Sequence, residues 1–82
     1  MRLRSICIEF QGGFAAKHIT IQFLDSQKQV LTQTDVYAND CNGLQTFDGL
    51  PDCVTTHLNI TFNHMYDLFG RLVIYRLQLI QQ

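Results

Sequence analysis

The chain has 82 residues, of which 46% are hydrophobic and 16% charged, and its formal net charge is −1. A typical domain has ~100–150 residues, so this length predicts one small domain or part of one. The apolar content excludes a disordered chain, the apolar runs are too short for a membrane span, and the balanced charge excludes the basic surface that nucleic-acid binding requires.

Alternating apolar and polar residues predict short strands at 4–10, 18–24, 30–37, 44–47, 55–63 and 71–80. Three of these strands have a clean apolar face, and its members are Ile6, Ile8 and Phe10, then Ile19, Ile21 and Phe23, then Leu58, Ile60 and Phe62. Turn-forming residues separate the strands, first at Gly12 and Gly13 and later in 25–28, 39–43 and 48–52.

No stretch repeats apolar residues at helical spacing, and 64–69 is expected to form one irregular turn. Short strands separated by turns every ~8–12 residues are typical of an all-β sandwich or barrel. The sequence therefore predicts the all-β class.

A domain with six short strands has a thin core for its surface. Two explanations remain open: another chain completes the sheets by pairing with a strand edge, or residues precede Met1. Both predict a sheet with an uncompleted edge, with Ile6, Ile8, Ile21 and Phe23 less covered than their alternation demands.

Several stretches in this order resemble the discoidin family, also called the coagulation-factor C-type domain. They are FQGGF at 10–14, DVYAND at 35–40, NGLQTF at 42–47, and the closing strand FGRLVIYRLQL at 69–79. The resemblance implies a galactose-binding-like jelly roll, an antiparallel sandwich of about eight strands. It also implies that 1–82 is the C-terminal part of one such domain, lacking its first strands.

The resemblance to small discoidin-like proteins implies that the chain is a non-catalytic protein-interaction module. The resemblance implies an orphan nuclear receptor as the partner, repression of its transactivation, and a location in nucleus and cytoplasm. The near-neutral charge agrees with a factor that contacts protein and needs no phosphate-binding surface. We expect no cofactor, no nucleic acid and no membrane among its ligands.

The partner-facing patch is predicted at Tyr66, Phe69 and Arg71, where the last loop meets the last strand. Aromatic side chains and arginine dominate the energetics of protein interfaces. In the alternative interpretation, Phe69 caps the core while Arg71 extends its charged end into solvent.

A second candidate site comprises the glycine-rich loop and the following turn, at Gln11, Gly12, Gly13, Phe14, Asn39 and Asp40. Glycines allow a ligand to approach backbone N–H groups closely, so a lectin-like or small-ligand module, with or without calcium, is the alternative function. In the simpler interpretation, the connection needs glycine only for its geometry.

Metal and catalytic sites have little support in the sequence. Cys41, Cys53, His57 and His64 lack the close cysteine pairs of structural zinc sites, and the aspartates follow no calcium-loop pattern. Cys7 has Glu9 as its neighbour on the same strand face, which does not favour a thiolate nucleophile. Three cysteines without paired spacing favour a reducing compartment, and we expect no enzyme activity and no metal.

Overall fold

The computed structural model describes residues Met1–Gln82. It contains six strands and no helix, and hence no helix long and apolar enough to cross a membrane. In chain order the strands are β1 (Leu3–Phe10), β2 (Ala16–Leu24), β3 (Val30–Tyr37), β4 (Gly43–Phe47), β5 (His57–Met65) and β6 (Ile74–Gln81). The predicted all-β class is confirmed.

The strands form two antiparallel sheets of three strands each, in the orders β4-β1-β6 and β3-β2-β5. Each sheet thus has one central strand, β1 or β2, that is paired on both sides. The other four strands are edges. The finer assignment to a jelly roll stays a prediction.

The apolar faces of the two central strands meet in one core. Ile6, Ile8 and Phe10 of β1 contact the cluster that also contains Ile19, Ile21 and Phe23 of β2. Opposite residues in an antiparallel pair share a face, so these strands also direct the apolar faces of their neighbours inward. Phe62 of β5, for example, contacts Phe10 edge-on with ring centroids 6.4 Å apart.

The expectation that Ile6, Ile8, Ile21 and Phe23 would be poorly covered is wrong, because all four are fully buried. They lie on the two central strands, where neighbours on both sides and the opposite sheet exclude water. Uncompleted edges are present, and the apolar side chains exposed within the sheets lie on edge strands; Leu44, Leu77 and Leu79 are examples.

Two strands begin later than the alternation predicts. The last was expected from Arg71 but starts at Ile74, because Val73 exchanges backbone hydrogen bonds with the β1–β2 loop: its N–H donates to Phe14 and its carbonyl accepts from Gln11. The fifth was expected from Thr55 but starts at His57 and continues to Met65. In both places, apolar or β-branched residues that fit the strand pattern in sequence belong to the loop that precedes the strand.

Candidate interaction surface

Three loops lie at one end of the molecule, because β1, β3 and β5 finish there and β2, β4 and β6 begin there. These are the β1–β2 loop (11–15), the β3–β4 loop (38–42) and the β5–β6 loop (66–73). All nine residues of the two predicted sites belong to these loops. Two sites that the sequence predicts separately are therefore parts of one end surface.

The side chains of the β3–β4 loop hold the glycines of the β1–β2 loop. The backbone N–H of Gly12 donates to Asn42 Oδ1 at 2.7 Å, and that of Gly13 donates to Asp40 Oδ1 at 2.8 Å. Gly13 has φ of 87°, a conformation that a larger residue rarely adopts. These glycine N–H groups, which were considered for an external anion or sugar, bind groups of the protein itself, and this favours the structural interpretation of the loop.

Gln11 and Asn39 are likewise held by neighbouring segments. The Tyr75 hydroxyl donates to Gln11 Oε1 at 2.9 Å, which joins the β1–β2 loop to β6. The side-chain amide of Gln45 bonds to both the N–H and the carbonyl of Asn39, at 2.9 and 2.8 Å. The loops thus form a connected scaffold at this end.

Asp67 organises the β5–β6 loop. Its carboxylate accepts hydrogen bonds from the backbone N–H groups of Phe69 and Arg71, each at 3.0 Å. The Arg71 guanidinium adds two more, from Nε at 3.1 Å and Nη2 at 3.0 Å. Gly70, with φ of 74°, completes the turn in a conformation that glycine adopts without strain.

This arrangement changes the acidity of Asp67. Hydrogen bonds from the Arg71 side chain, followed by that from the Arg71 backbone, lower the pKa of Asp67 to about 2. The carboxylate is thus charged at every physiological pH, and it balances the positive charge of Arg71 within the loop.

We expect the stabilising effect of Asp67 to be present at neutral pH and to be lost as pH falls from about 4 to about 2. A carboxyl group whose pKa is lower in the folded than in the unfolded state stabilises the fold only where it is ionised. Urea unfolding at several pH values should therefore show a difference in stability between the natural protein and Asp67→Asn that shrinks across this window.

Arg71→Gln serves as the matched control for this titration. It removes the principal cause of the lowered Asp67 pKa, so Asp67→Asn made in that background should show a smaller pH-dependent difference. A difference that stayed constant from pH 7 to pH 2 would contradict the assigned role of Asp67.

Arg71 joins the two predicted sites. Its guanidinium carbon lies 5.1 Å from the centre of the Phe14 ring and 5.5 Å from that of Phe69. Both distances are within the range of cation–π attraction, which orients the two rings about one cation. Phe14, predicted in the ligand loop, and Phe69, predicted in the partner patch, are therefore held by the same arginine.

The tip of the β5–β6 loop presents two large apolar side chains to solvent. Leu68 is 97% exposed and Phe69 is 84% exposed, although the turn that bears them is fixed by Asp67. Phe69 does not cap the core, so that alternative interpretation is wrong. Leu68 was absent from the predicted patch, since a single leucine in a turn belongs to no alternating or helical pattern.

Tyr66 has a different role from its predicted neighbours. Its hydroxyl donates to the carbonyl of Ala38 at 2.6 Å, and its N–H donates to Ala15 at 3.1 Å. It thereby binds the β5–β6 loop to the other two loops. We call Phe14, Leu68, Phe69 and Arg71 the apolar tip; Tyr66 and Asp67 position it.

Away from the apolar tip, a cluster of polar side chains covers the outer face of the β3-β2-β5 sheet. His18 lies between the rings of Tyr37 and His64, with centroids 5.0 and 5.8 Å away, and its Nε2 is 3.0 Å from Asp35 Oδ1. A hydrogen bond from Thr20, followed by that from His18, lowers the pKa of Asp35. These contacts organise a solvated sheet face.

The residues weighed for metal binding lie apart. Asp52 pairs with Arg2 at 2.9 Å, and His57 Nδ1 lies 3.0 Å from the Thr56 hydroxyl. Cys41 lies in the β3–β4 loop with its sulfur 3.7 Å from the side-chain amide of Gln45. Nowhere in the chain do three His, Cys, Asp or Glu side chains form a group that could hold a metal ion.

Comparison with known proteins gives one consistent result. The chain is similar to proteins named nuclear receptor 2C2-associated protein. It is 32% identical to that of Mus musculus and 34% identical to that of Homo sapiens, in each case over 80 residues and 98% of this chain. The Bos taurus protein is 36% identical over 73 residues.

The matched regions cover 56%, 57% and 51% of these three relatives, so the chain spans about half the length of the curated relatives it matches. No family model matches the chain, and no solved structure matches it. The discoidin resemblance remains a prediction.

Proposed function

We propose that this chain is a non-catalytic protein-interaction module that associates with a nuclear receptor, in nucleus and cytoplasm, and represses its transactivation. The observation that carries the proposal is the apolar tip, where Leu68 and Phe69 are held in solvent by the Asp67–Arg71 network. The names of the relatives indicate the class of partner.

The physical chemistry of the tip suits a protein partner. Because the turn is already ordered, its side chains lose less conformational freedom on binding than those of a mobile loop would. The Arg71 charge is balanced by Asp67, so the tip can enter an apolar pocket without burying an unpaired charge. Aromatic and arginine side chains in one cluster have the composition of an interface hot spot.

The test is direct binding of the purified chain to purified nuclear receptor 2C2, measured by isothermal titration calorimetry. We expect binding by the natural chain and a loss of about 30-fold or more in affinity for the double variant Leu68→Ser and Phe69→Ser. Hot-spot residues contribute at least ~2 kcal/mol, and ~1.4 kcal/mol corresponds to a tenfold change.

The matched control is the double variant Leu31→Ser and Tyr37→Ser, which removes two exposed apolar side chains from β3. Its affinity should remain within about twofold of the natural chain. A receptor-dependent reporter assay with the same variants tests repression. Absence of binding by the natural chain, or equal losses in both double variants, would overturn the proposal.

A further inference from the structure

The edge strand β6 carries two leucines whose exposure does not match their position in the sheet. Leu77 lies opposite Ile8 and Leu79 lies opposite Ile6, so both are on the core-facing side of the sheet. Ile6 and Ile8 are fully buried, whereas Leu77 and Leu79 are 42% and 40% exposed. The apolar face of the β4-β1-β6 sheet therefore continues past the part that the opposite sheet covers.

The backbone of β6 is also open along its outer side. The N–H of Gln82 donates to the carbonyl of Arg2 at 3.0 Å, on the side of β1. Because backbone groups alternate in direction along an antiparallel strand, those of Leu77, Leu79 and Gln81 point away from β1. This sheet order provides them with no neighbouring strand.

β6 lacks most of the features that usually protect an edge strand, and the one irregularity in its own course lies at its start, between Ile74 and Arg76. Its sequence, IYRLQLIQ, contains no proline, lysine or acidic residue. Its single charge, Arg76, has Nε 3.8 Å from Glu9 Oε1 on the neighbouring strand β1. The opposite edge of the same sheet, β4, has only five residues. β6 is thus the less protected edge of this sheet.

We propose that β6 pairs with β6 of a second copy of this chain, antiparallel about a two-fold axis at Gln78. Opposite residues in an antiparallel pair lie on the same face of the sheet. The core-facing sides of both copies therefore coincide only when odd-numbered residues pair with odd-numbered residues and even-numbered with even-numbered. The register centred on Gln78 meets this condition. In it, Leu77 of each copy lies opposite Leu79 of the other copy.

Charge and chemistry favour a second copy as the occupant. In this register Arg76 lies opposite the second copy's Ile80, so no like charges oppose one another across the pair. The net charge of −1 per chain adds little long-range repulsion. The four leucines form one apolar surface that continues both cores.

The joined sheet has the order β4-β1-β6-β6-β1-β4. Since each β6 starts at the end that bears the apolar tip, antiparallel pairing places the two tips at opposite ends of the dimer. Dimerisation therefore leaves both tips accessible, and it is independent of the proposed receptor association. Failure of either proposal leaves the other standing.

Sedimentation equilibrium of the purified chain over a range of concentrations tests the pairing. We expect the average mass to rise with concentration from 9.5 kDa toward twice that value. Leu77→Lys and Leu79→Lys should each weaken association at least about tenfold, because a charge directed inward from an edge opposes strand addition. Far-UV circular dichroism and the thermal midpoint establish that each variant is folded.

The matched control is Leu44→Lys, at a position 46% exposed on the opposite edge of the same sheet. It should associate as the natural chain does. A chain that remains monomeric at all concentrations overturns the proposal. So does association that the lysine substitutions on β6 leave unchanged, because another surface would then be responsible.

Cross-linking tests the register without relying on the leucines. Gln78 would form a non-hydrogen-bonded pair with its copy, with Cα atoms about 4.5 Å apart. That distance lies within the ~4.4–6.8 Å that a disulfide spans. We therefore introduce Gln78→Cys into a chain that also carries Cys7→Ser, Cys41→Ser and Cys53→Ser. Cys7 is replaced because it lies directly opposite Gln78 on β1, where an intramolecular disulfide would compete with the cross-link.

Oxidised glutathione accepts the two electrons as two thiols lose their protons and form the intermolecular bond. We expect a covalent dimer from Gln78→Cys at least about tenfold faster than from Gln33→Cys, an exposed position on β3 in the same background. Equal rates for the two variants, or no covalent dimer from Gln78→Cys, overturn the pairing about Gln78.

Discussion

Phe10→Ala should lower the free energy of unfolding by about 3–5 kcal/mol, the range observed for aromatic residues removed from a protein core. Phe10 is fully buried at the end of the central strand β1, and its ring contacts Phe62 of the opposite sheet. The substitution therefore removes apolar contact between the two sheets and leaves a cavity. Small domains have little stability to spare, so most molecules of the variant should be unfolded when assayed at about 37 °C.

Phe69→Ala is the matched control, since it is the same substitution at an exposed side chain on the apolar tip. It should change the free energy of unfolding by less than about 0.5 kcal/mol. The measurement is urea denaturation followed by far-UV circular dichroism and tyrosine fluorescence, because the chain contains no tryptophan. Similar losses in the two variants would contradict the assignment of Phe10 to the core and Phe69 to the surface.

The contrast between these two phenylalanines shows what the sequence can predict about the fold. Phe10 continues a period-two pattern with Ile6 and Ile8, and that period alone assigns it to the buried face of a strand. Phe69 belongs to no such pattern. Its exposure depends on the turn that Asp67 and Gly70 form, which only the three-dimensional structure shows.

The full burial of Ile6 and Ile8 has a physical cause. Surface-to-volume scaling predicts how much of a small domain is poorly covered, but it does not predict which residues these are. The sequence argument expects Ile6 and Ile8 to be poorly covered, yet they lie on a strand that is paired on both sides. The exposure falls instead on Leu77 and Leu79, one strand further out.

The candidate site was predicted in parts that the sequence could not connect. Phe14 and Phe69 are 55 positions apart in the chain, and their loops lie at the same end only because the strands are antiparallel. The contacts of Arg71 with both rings depend on that topology. The role of Asn42, which holds Gly12, likewise depends on a pairing between distant loops.

Thr55→Val should destabilise the protein by about 1–3 kcal/mol, the cost of leaving buried polar groups without a hydrogen bond. The Thr55 side chain is almost fully buried at the end opposite the apolar tip, and its hydroxyl lies 2.6 Å from the Leu24 carbonyl and 2.8 Å from that of His57. Valine has nearly the same shape but donates no hydrogen bond. The loss therefore arises from the hydroxyl and not from a cavity.

The adjacent residue provides the matched control for this substitution. Thr56 is also a threonine but is exposed, and its hydroxyl lies 3.5 Å from the same Leu24 carbonyl. Thr56→Val should change the stability by less than about 0.5 kcal/mol, because water replaces the lost contact. Urea denaturation of both variants under identical conditions measures the difference. If Thr55→Val were as stable as Thr56→Val, the Thr55 hydroxyl would not be holding the β4–β5 connection against the end of β2.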